Sequence, residues 1–188
     1  MRGPDTRRDL LGAAFALLLL AGPAAADQRA KALDGLFAGL KQTADPDTGS
    51  EITQQIWRHW FRTDDEQAAQ ALAAGEAAMQ AGGYDTALAT FDRLVKIAPD
   101  FAEGWNRRAT LRFLMGDYDG SVRDIERTLA LEPRHFGALS GLGLIYLKLG
   151  KEEAALKAFR QALAIDPFLP DVAANIAAIE KRLEDGAI

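Results

Sequence analysis

Two histidines, His59 and His135, are the only side chains of this 188-residue chain whose ordinary titration falls near neutrality. Neither stands in an H-E-x-x-H pair or a cluster with metal-ligand spacing, so each reads as a surface or helix-end histidine. Asp45, Asp47, Gly49 and Glu51 alternate as the ligands of a calcium loop do. Pro46 and Ser50 break that pattern, because an EF-hand needs glycine at its sixth position. An acidic interhelical loop with Thr48 or Ser50 as helix N-cap is the expected reading. The chain has no cysteine, no G-x-S-x-G and no G-x-x-x-x-G-K, which leaves no thiol nucleophile, serine elbow or phosphate cradle. No catalytic constellation, metal or cofactor is expected, and the chain is not read as an enzyme.

Charge offers a second kind of chemistry. Arg107, Arg108, Arg112, Arg123 and Arg127 could receive an acidic tail, since guanidinium binds carboxylate through a bidentate fork. Asp117, Asp119, Asp124 and Glu126 lie in the same stretch, however, and favour internal ties between helices. The balance is acidic, with 22 Lys and Arg against 27 Asp and Glu. Nucleic acid and anionic membrane surfaces are therefore not expected partners.

The elements that must position these residues follow a 34-residue beat. Pro99, Pro133 and Pro167 stand on it, and so do Gly82, Gly116 and Gly150. Each glycine ends one apolar-periodic stretch, where a helix C-terminus favours a residue that tolerates positive φ, and each proline stops a second. The second stretches repeat one stripe at i, i+3, i+7: Leu88/Phe91/Val95, Val122/Ile125/Leu129 and Leu156/Phe159/Leu163. Ala87, Ser121 and Ala155 are small at one common position, which predicts a close helix crossing. Asp64, Asp100 and Asp117 stand where N-caps are expected, with Asp100-x-x-Glu103 as a capping-box variant.

Three units result, 68–101, 102–135 and 136–169. The third reads Leu139-x2-Leu142-Gly143-x2-Tyr146, Ala155-x3-Phe159 and Pro167, and it resembles the tetratricopeptide (TPR) pattern except for Leu in place of the leading Trp. The first keeps Gly75, Ala87, Phe91 and Pro99 but has Ala71, Ala74 and Ala78 at large-residue positions. The second carries Arg108 and Arg112 where Leu and Tyr are usual. Trp105-Asn106-Arg107 with Asp124 resembles a bacterial TPR variant in which these residues tie the two helices together. The resemblance implies an all-α solenoid of antiparallel helical hairpins with a right-handed superhelix. It also implies a groove lined by first helices, placing Leu72, Glu76 and Met79, then Glu103, Asn106, Thr110 and Phe113, then Ser140, Leu144 and Leu147 on the concave face, with Asn175 extending it. Phe113, Leu144 and Leu147 fit packing between repeats equally well. The family's carboxylate clamp is not matched, because Leu72 and Glu76 stand where a basic residue and an asparagine are wanted.

The flanks follow other rules. Arg2, Arg7 and Arg8 precede a 12-residue apolar run from Leu10 to Ala21, and Ala24-Ala25-Ala26 follows, which reads as a signal peptide over 1–26 cut before Asp27. The run is shorter than the ~18 apolar residues that a membrane span needs, so no membrane insertion is expected after cleavage. Thr6-Arg7-Arg8-Asp9-Leu10-Leu11 resembles the twin-arginine export motif, and an ordinary Sec peptide fits as well. Residues 27–67 read as a helical hairpin with stripes Leu33/Leu36/Phe37/Leu40 and Ile52/Ile56/Trp57/Trp60/Phe61, a degenerate TPR or N-terminal cap. Residues 170–188 read as a closing helix, through Val172, Ile176, Ile179 and Leu183, followed by a tail. The functional expectation is a periplasmic module that binds a protein or peptide in its groove as an adaptor or scaffold in the cell envelope. A self-associating homo-oligomer joined through Trp57, Trp60 and Phe61, or a non-catalytic subunit of an enzyme complex, are the alternatives.

Overall fold

The computed structural model describes residues 23–185, which form nine helices joined by short turns. They are α1 (Pro23–Gln42), α2 (Pro46–Trp60), α3 (Glu66–Gln80), α4 (Tyr84–Ile97), α5 (Ala102–Leu114), α6 (Tyr118–Leu131), α7 (Phe136–Lys148), α8 (Glu152–Ile165) and α9 (Pro170–Asp185). The expected export segment lies outside the described residues up to position 22, and its last four residues begin α1. The tail Gly186-Ala187-Ile188 also lies outside them.

Helices α3/α4, α5/α6 and α7/α8 are the three hairpins of the 34-residue beat, and α9 packs on α8. The turn inside each hairpin is the same motif. Gly82, Gly116 and Gly150 adopt φ of 76°, 81° and 67°. The following N–H of Gly83, Asp117 or Lys151 then reaches back 2.9 Å to the carbonyl of Ala78, Arg112 or Tyr146. This Schellman closure satisfies carbonyls that the helix end would otherwise leave bare. The prolines stand two residues beyond the ends of α4, α6 and α8 and stop each of them.

Within a hairpin, the closeness of the two helices is set by complementary volume. A Cβ on Gly75 would overlap the Phe91 ring, and one on Gly143 the Phe159 ring. The second repeat solves the same contact with Ala109 against Ile125, both buried, trading ring for branch and hydrogen for methyl. Ala87, Ser121 and Ala155 are buried at the common small position, and the Ser121 hydroxyl donates to the Ala109 carbonyl at 2.7 Å.

Three caps differ from expectation. Asp65, not Asp64, accepts from the N–H groups of Gln67 and Ala68 at the start of α3. Phe101 stands at the N-cap of α5 without a side-chain bond, so Asp100 and Glu103 form no capping box there. Asp45, not Thr48 or Ser50, caps α2; Thr48 gives it both N–H and hydroxyl, bonds that hold the Asp45 carboxyl below its ordinary value. Asp117 caps α6 as expected. At α2 and α3 a neighbouring aspartate offers the better reach to the first-turn donors, whereas at α5 no side chain takes that role.

The second repeat replaces apolar packing with an ionic layer. Asp124, only 2% exposed, accepts a bidentate pair from Arg108 Nε and Nη2 at 2.9 and 2.7 Å, and Arg112 Nη1 lies 3.0 Å away. Arg108 also donates to Asp92 of the preceding repeat at 2.7 Å. Burial works against the Arg108 charge, and the two carboxylates more than offset it, raising its pKa. The interhelical tie thus runs through Arg108 rather than Arg107. Trp105 covers it, with the Arg108 guanidinium 4.9 Å from the ring centroid and the indole N–H bonded to the Pro99 carbonyl. Removing Asp124 takes the shared carboxylate from two guanidiniums in a half-dry layer, leaving Arg108 with Asp92 and Arg112 with the Gly120 carbonyl. Asp124→Ala is expected to lower unfolding free energy by about 3 kcal/mol in urea titration, whereas exposed Arg123→Ala stays within about 0.5 kcal/mol; equal effects would remove the layer's special role.

The leading hairpin does not stack in front of the first repeat. Its buried side chains Phe37, Leu40, Ile56 and Trp60 belong to one apolar cluster with Phe136, Leu139 and Val172, and Leu169 and Ile176 pack against that cluster. It therefore lies on the third repeat and α9, along the inner side of the array.

Candidate functional site

One face of α2 makes this contact. Gly49, Thr53, Ile56, Trp57 and Trp60 follow one another at helical spacing, and all but Trp57 are buried. At its start Gly49 presses on the Phe168 ring, so closely that a Cβ would overlap it. One turn on, the Thr53 hydroxyl lies 2.6 Å from Asp166 and 3.0 Å from the Gly49 carbonyl. Further along, Trp57 meets Gly137 and stands edge-on to Phe136 at 5.5 Å. Trp60 stacks flat on the His135 ring at 4.1 Å and 10°. The segment ends at Phe61, whose ring lies 4.4 Å beneath the Arg107 guanidinium. Helix α2 thus crosses the array from the turn between α8 and α9, past the N-terminus of α7, toward α5, and delivers the chain to α3.

The floor under it is a buried polar network. His135 is fully buried and caps α7: its Nδ1 accepts from the Ala138 N–H at 3.1 Å. That leaves Nε2 to carry the proton and donate it to Glu103 at 3.0 Å, which assigns the neutral Nε2–H form. The Glu103 carboxylate also accepts from Asn106 Nδ2 at 3.1 Å and from Arg107 Nε at 2.6 Å. Glu76 lies 3.2 Å from the same Arg107 nitrogen. Three donors and a place in the first turn of α5 stabilise a charge that burial alone would penalise. Arg134 closes the outer edge, 2.6 Å from Asp34 and over the Phe37 ring at 4.3 Å.

The residues assigned to the groove from the sequence divide accordingly. Glu103 and Asn106 are buried in this network, with their polar atoms turned on one another. Leu72 is buried in the core of the first repeat and Met79 packs against it. Glu76 is half-buried beside Arg107. Phe113 packs on Tyr118 and Leu147 on the third-repeat core. The Thr110 and Ser140 hydroxyls donate to the carbonyls one turn back, of Asn106 and Phe136. Leu144 is exposed at 38%, and Asn175 is half-buried on α9. Sequence reasoning read His135 as a surface or helix-end residue, and it caps α7 but is fully buried; it did not single out Arg134, Asp166, Gly137 or exposed Leu114. Gly137 was accessible by spacing, being one turn before Ser140 on the same helix face. Trp57, Trp60 and Phe61, the surface named in the self-association alternative, pack against their own array.

Among the described residues, no group of three or more His, Asp or Glu side chains is arranged to hold a metal ion, and no helix is long and apolar enough to cross a membrane.

Asp166 gives the α2 contact a pH dependence. Burial raises its carboxyl pKa, and the Thr53 hydroxyl and Phe168 N–H bonds offset only part of that rise. A folded value above the unfolded one, about 4, means the folded state holds this proton more firmly. The stability it contributes is complete below about pH 4 and is lost as pH rises through the folded value. Asp166→Asn, which keeps both hydrogen-bonding positions, is expected to gain on the wild type as pH rises from 4 to 7 in urea titrations. A difference constant across that range would refute the assignment.

Comparison with known proteins agrees with this geometry. The tetratricopeptide repeat family model matches residues 72–114 and 107–170. A TPR repeat-containing protein of Rhizobium etli is 41% identical over 135 residues, 72% of this chain and 66% of its own length. The small glutamine-rich tetratricopeptide repeat-containing protein 2 of Saccharomyces cerevisiae is 30% identical over 49% of this chain and 27% of its own length. The chain thus spans less than two thirds of these relatives. Among solved structures, the first TPR domain of Spaghetti (RPAP3) bound to the HSP90 peptide SRMEEVD superposes with a TM-score of 0.61 at 21% identity, over 65% of this chain and 97% of that one. MamA superposes with a TM-score of 0.59 at 18% identity, over 84% and 83%. With its repeat period, turn geometry and hairpin stacking all of one kind, the chain belongs to the tetratricopeptide repeat family and folds as an α-solenoid.

Proposed function

We propose that this protein is an exported, non-catalytic adaptor that holds a polypeptide partner in the periplasm, in the assembly or maintenance of the cell envelope. TPR arrays mediate protein–protein interaction, and the observation that carries the reading here is a divided inner face. Helix α2 covers the N-terminal ends of α5 and α7, and the other half of the same face stays open. There Leu114 and Leu144 are 49% and 38% exposed on neighbouring first helices, on either side of Thr110. Large apolar groups beside hydroxyls suit a peptide or helix that brings its own apolar anchors. An acidic tail of the SRMEEVD kind is not the inferred partner. Leu72 is buried, Glu76 is itself a carboxylate, and the Arg107 guanidinium beside it is engaged by Glu103. Export rests on the N-terminal arginines, apolar run and alanine triplet of the sequence.

Two measurements test this. In-cell crosslinking followed by mass spectrometry is expected to recover a partner with the wild type, and Leu114→Glu/Leu144→Glu is expected to lose at least nine tenths of it. Both side chains are exposed, so helical circular dichroism and melting should hold; undiminished capture would place binding elsewhere. Terminal sequencing of the protein from the periplasmic fraction is expected to begin at Asp27. Residues 1–26 retained in a membrane pellet would overturn the export reading.

A further inference from the structure

The contact between α2 and the array has the form of a ligand in its site. We propose that the α2 position is a helix-binding site, held in cis by the chain's own hairpin, and that it takes a partner's amphipathic helix bearing two aromatic residues three apart. This deepens the adaptor reading and rests on it.

The occupant's chemistry is legible from what occupies the site now. Gly49, Thr53, Trp57 and Trp60 stand at i, i+4, i+8 and i+11, a single helical face. Phe168 demands a residue without a side chain at the first position, since a Cβ there would overlap its ring. Asp166 faces a hydroxyl at the second. Gly137 leaves room for a large ring at the third. His135, held flat by its bonds to Glu103 and the Ala138 N–H, is a preformed stacking surface for the fourth. None of this floor comes from the hairpin itself, so a helix from another chain with the same pattern meets the same groups.

The hold on the hairpin is also one that a competitor can break. Trp60 Nε1 is buried with no hydrogen-bond partner, a defect that the closed state alone bears. The Asp34–Arg134 pair is largely exposed and adds little. Residues 61–65 join α2 to α3, with Phe61 against the first-repeat core and Asp65 capping α3, so a displaced hairpin stays anchored at this link. A partner whose aromatic pair finds an acceptor for its ring N–H, or has none to satisfy, starts with an advantage over α2.

The test uses the full chain and a fluorescein-labelled synthetic peptide of residues 46–62, read by fluorescence anisotropy. Gly49→Leu forces α2 off Phe168 while leaving the floor native, and it is expected to bind the peptide at least tenfold more tightly than the wild type. The same peptide with both tryptophans replaced by alanine should not bind. Asp34→Cys/Arg134→Cys, in a chain otherwise free of cysteine, should bind before treatment with a bismaleimide and lose binding once the bridge has locked the hairpin. Should Gly49→Leu lose its helical circular dichroism, Trp60→Ala opens the same site and is read in its place. Equal affinity in wild-type, opened and locked proteins overturns the proposal, as does a folded opened variant that ignores the peptide. A doubled mass in light scattering without peptide uptake overturns it too, assigning the site to a second copy of this chain. The Leu114 and Leu144 arm reads the open half separately, so peptide uptake without partner capture leaves the helix site standing while the adaptor reading fails.

Discussion

Glu103 is a carboxylate with almost no exposed surface, and the arrangement of the inner face depends on how its charge is met. A buried acid without partners would either take up a proton or unfold its surroundings. Here Asn106 and Arg107 approach from its own helix and His135 from the turn before α7, so that one charge fixes the second repeat against the third. Arg107 carries the link on to Glu76 in the first repeat and to the Phe61 and Trp57 rings of the leading segment. His135 carries it to Trp60. The hairpin therefore sits on a surface whose geometry electrostatics has set, and its apolar rings add area to a pre-ordered floor.

The array itself was legible because its rules are local. A glycine that must adopt positive φ, a proline that cannot continue a helix and a small residue opposite a ring each act within about one repeat, and the 34-residue period repeats the signal three times. The ionic layer was half legible. Two arginines at apolar positions announced a substitute core, but only the side-chain directions decide that Arg108 reaches Asp124 while Arg107 turns toward Glu103. Isolated pairs of this kind add little net stability, yet they penalise a wrong neighbour strongly. In a stack of similar units, that asymmetry helps each repeat to recognise its own successor.

The placement of α2 was not legible, and the reason is physical. Chain order and helix length both suit a leading repeat, and the Ile52/Ile56/Trp57/Trp60 stripe demanded a covering surface without saying which. The deciding quantity is on the other side. The outward face of α3 offers Ala69, Ala73 and Ala77, all exposed, which is too little apolar area to seat two indoles. The N-terminal end of α7 offers Phe136, a glycine and a flat imidazole. Comparing the two surfaces by side-chain volume, rather than following chain order, is what would have found the answer. The same comparison would have marked His135, a helix-end residue as expected, as buried rather than exposed, since it lies under the Trp60 ring.

Where local rules are broken in this molecule, several breaks fall along that one contact. Trp60 leaves a buried donor unpaired, Asp166 buries a carboxyl whose charge the surroundings oppose, and Gly49 and Gly137 remove side chains from helices that would be more stable with alanine. The glycines of Gly75 and Gly143, by contrast, serve close packing inside hairpins that every repeat must form. A contact that only had to cover apolar surface could use leucine against leucine and would carry none of these costs. Costs gathered along one contact, beside repeats whose own departures are met by ion pairs, are the pattern natural proteins show where an element must hold and also let go. That pattern is why the hairpin is better understood as an occupant of the array than as its first member.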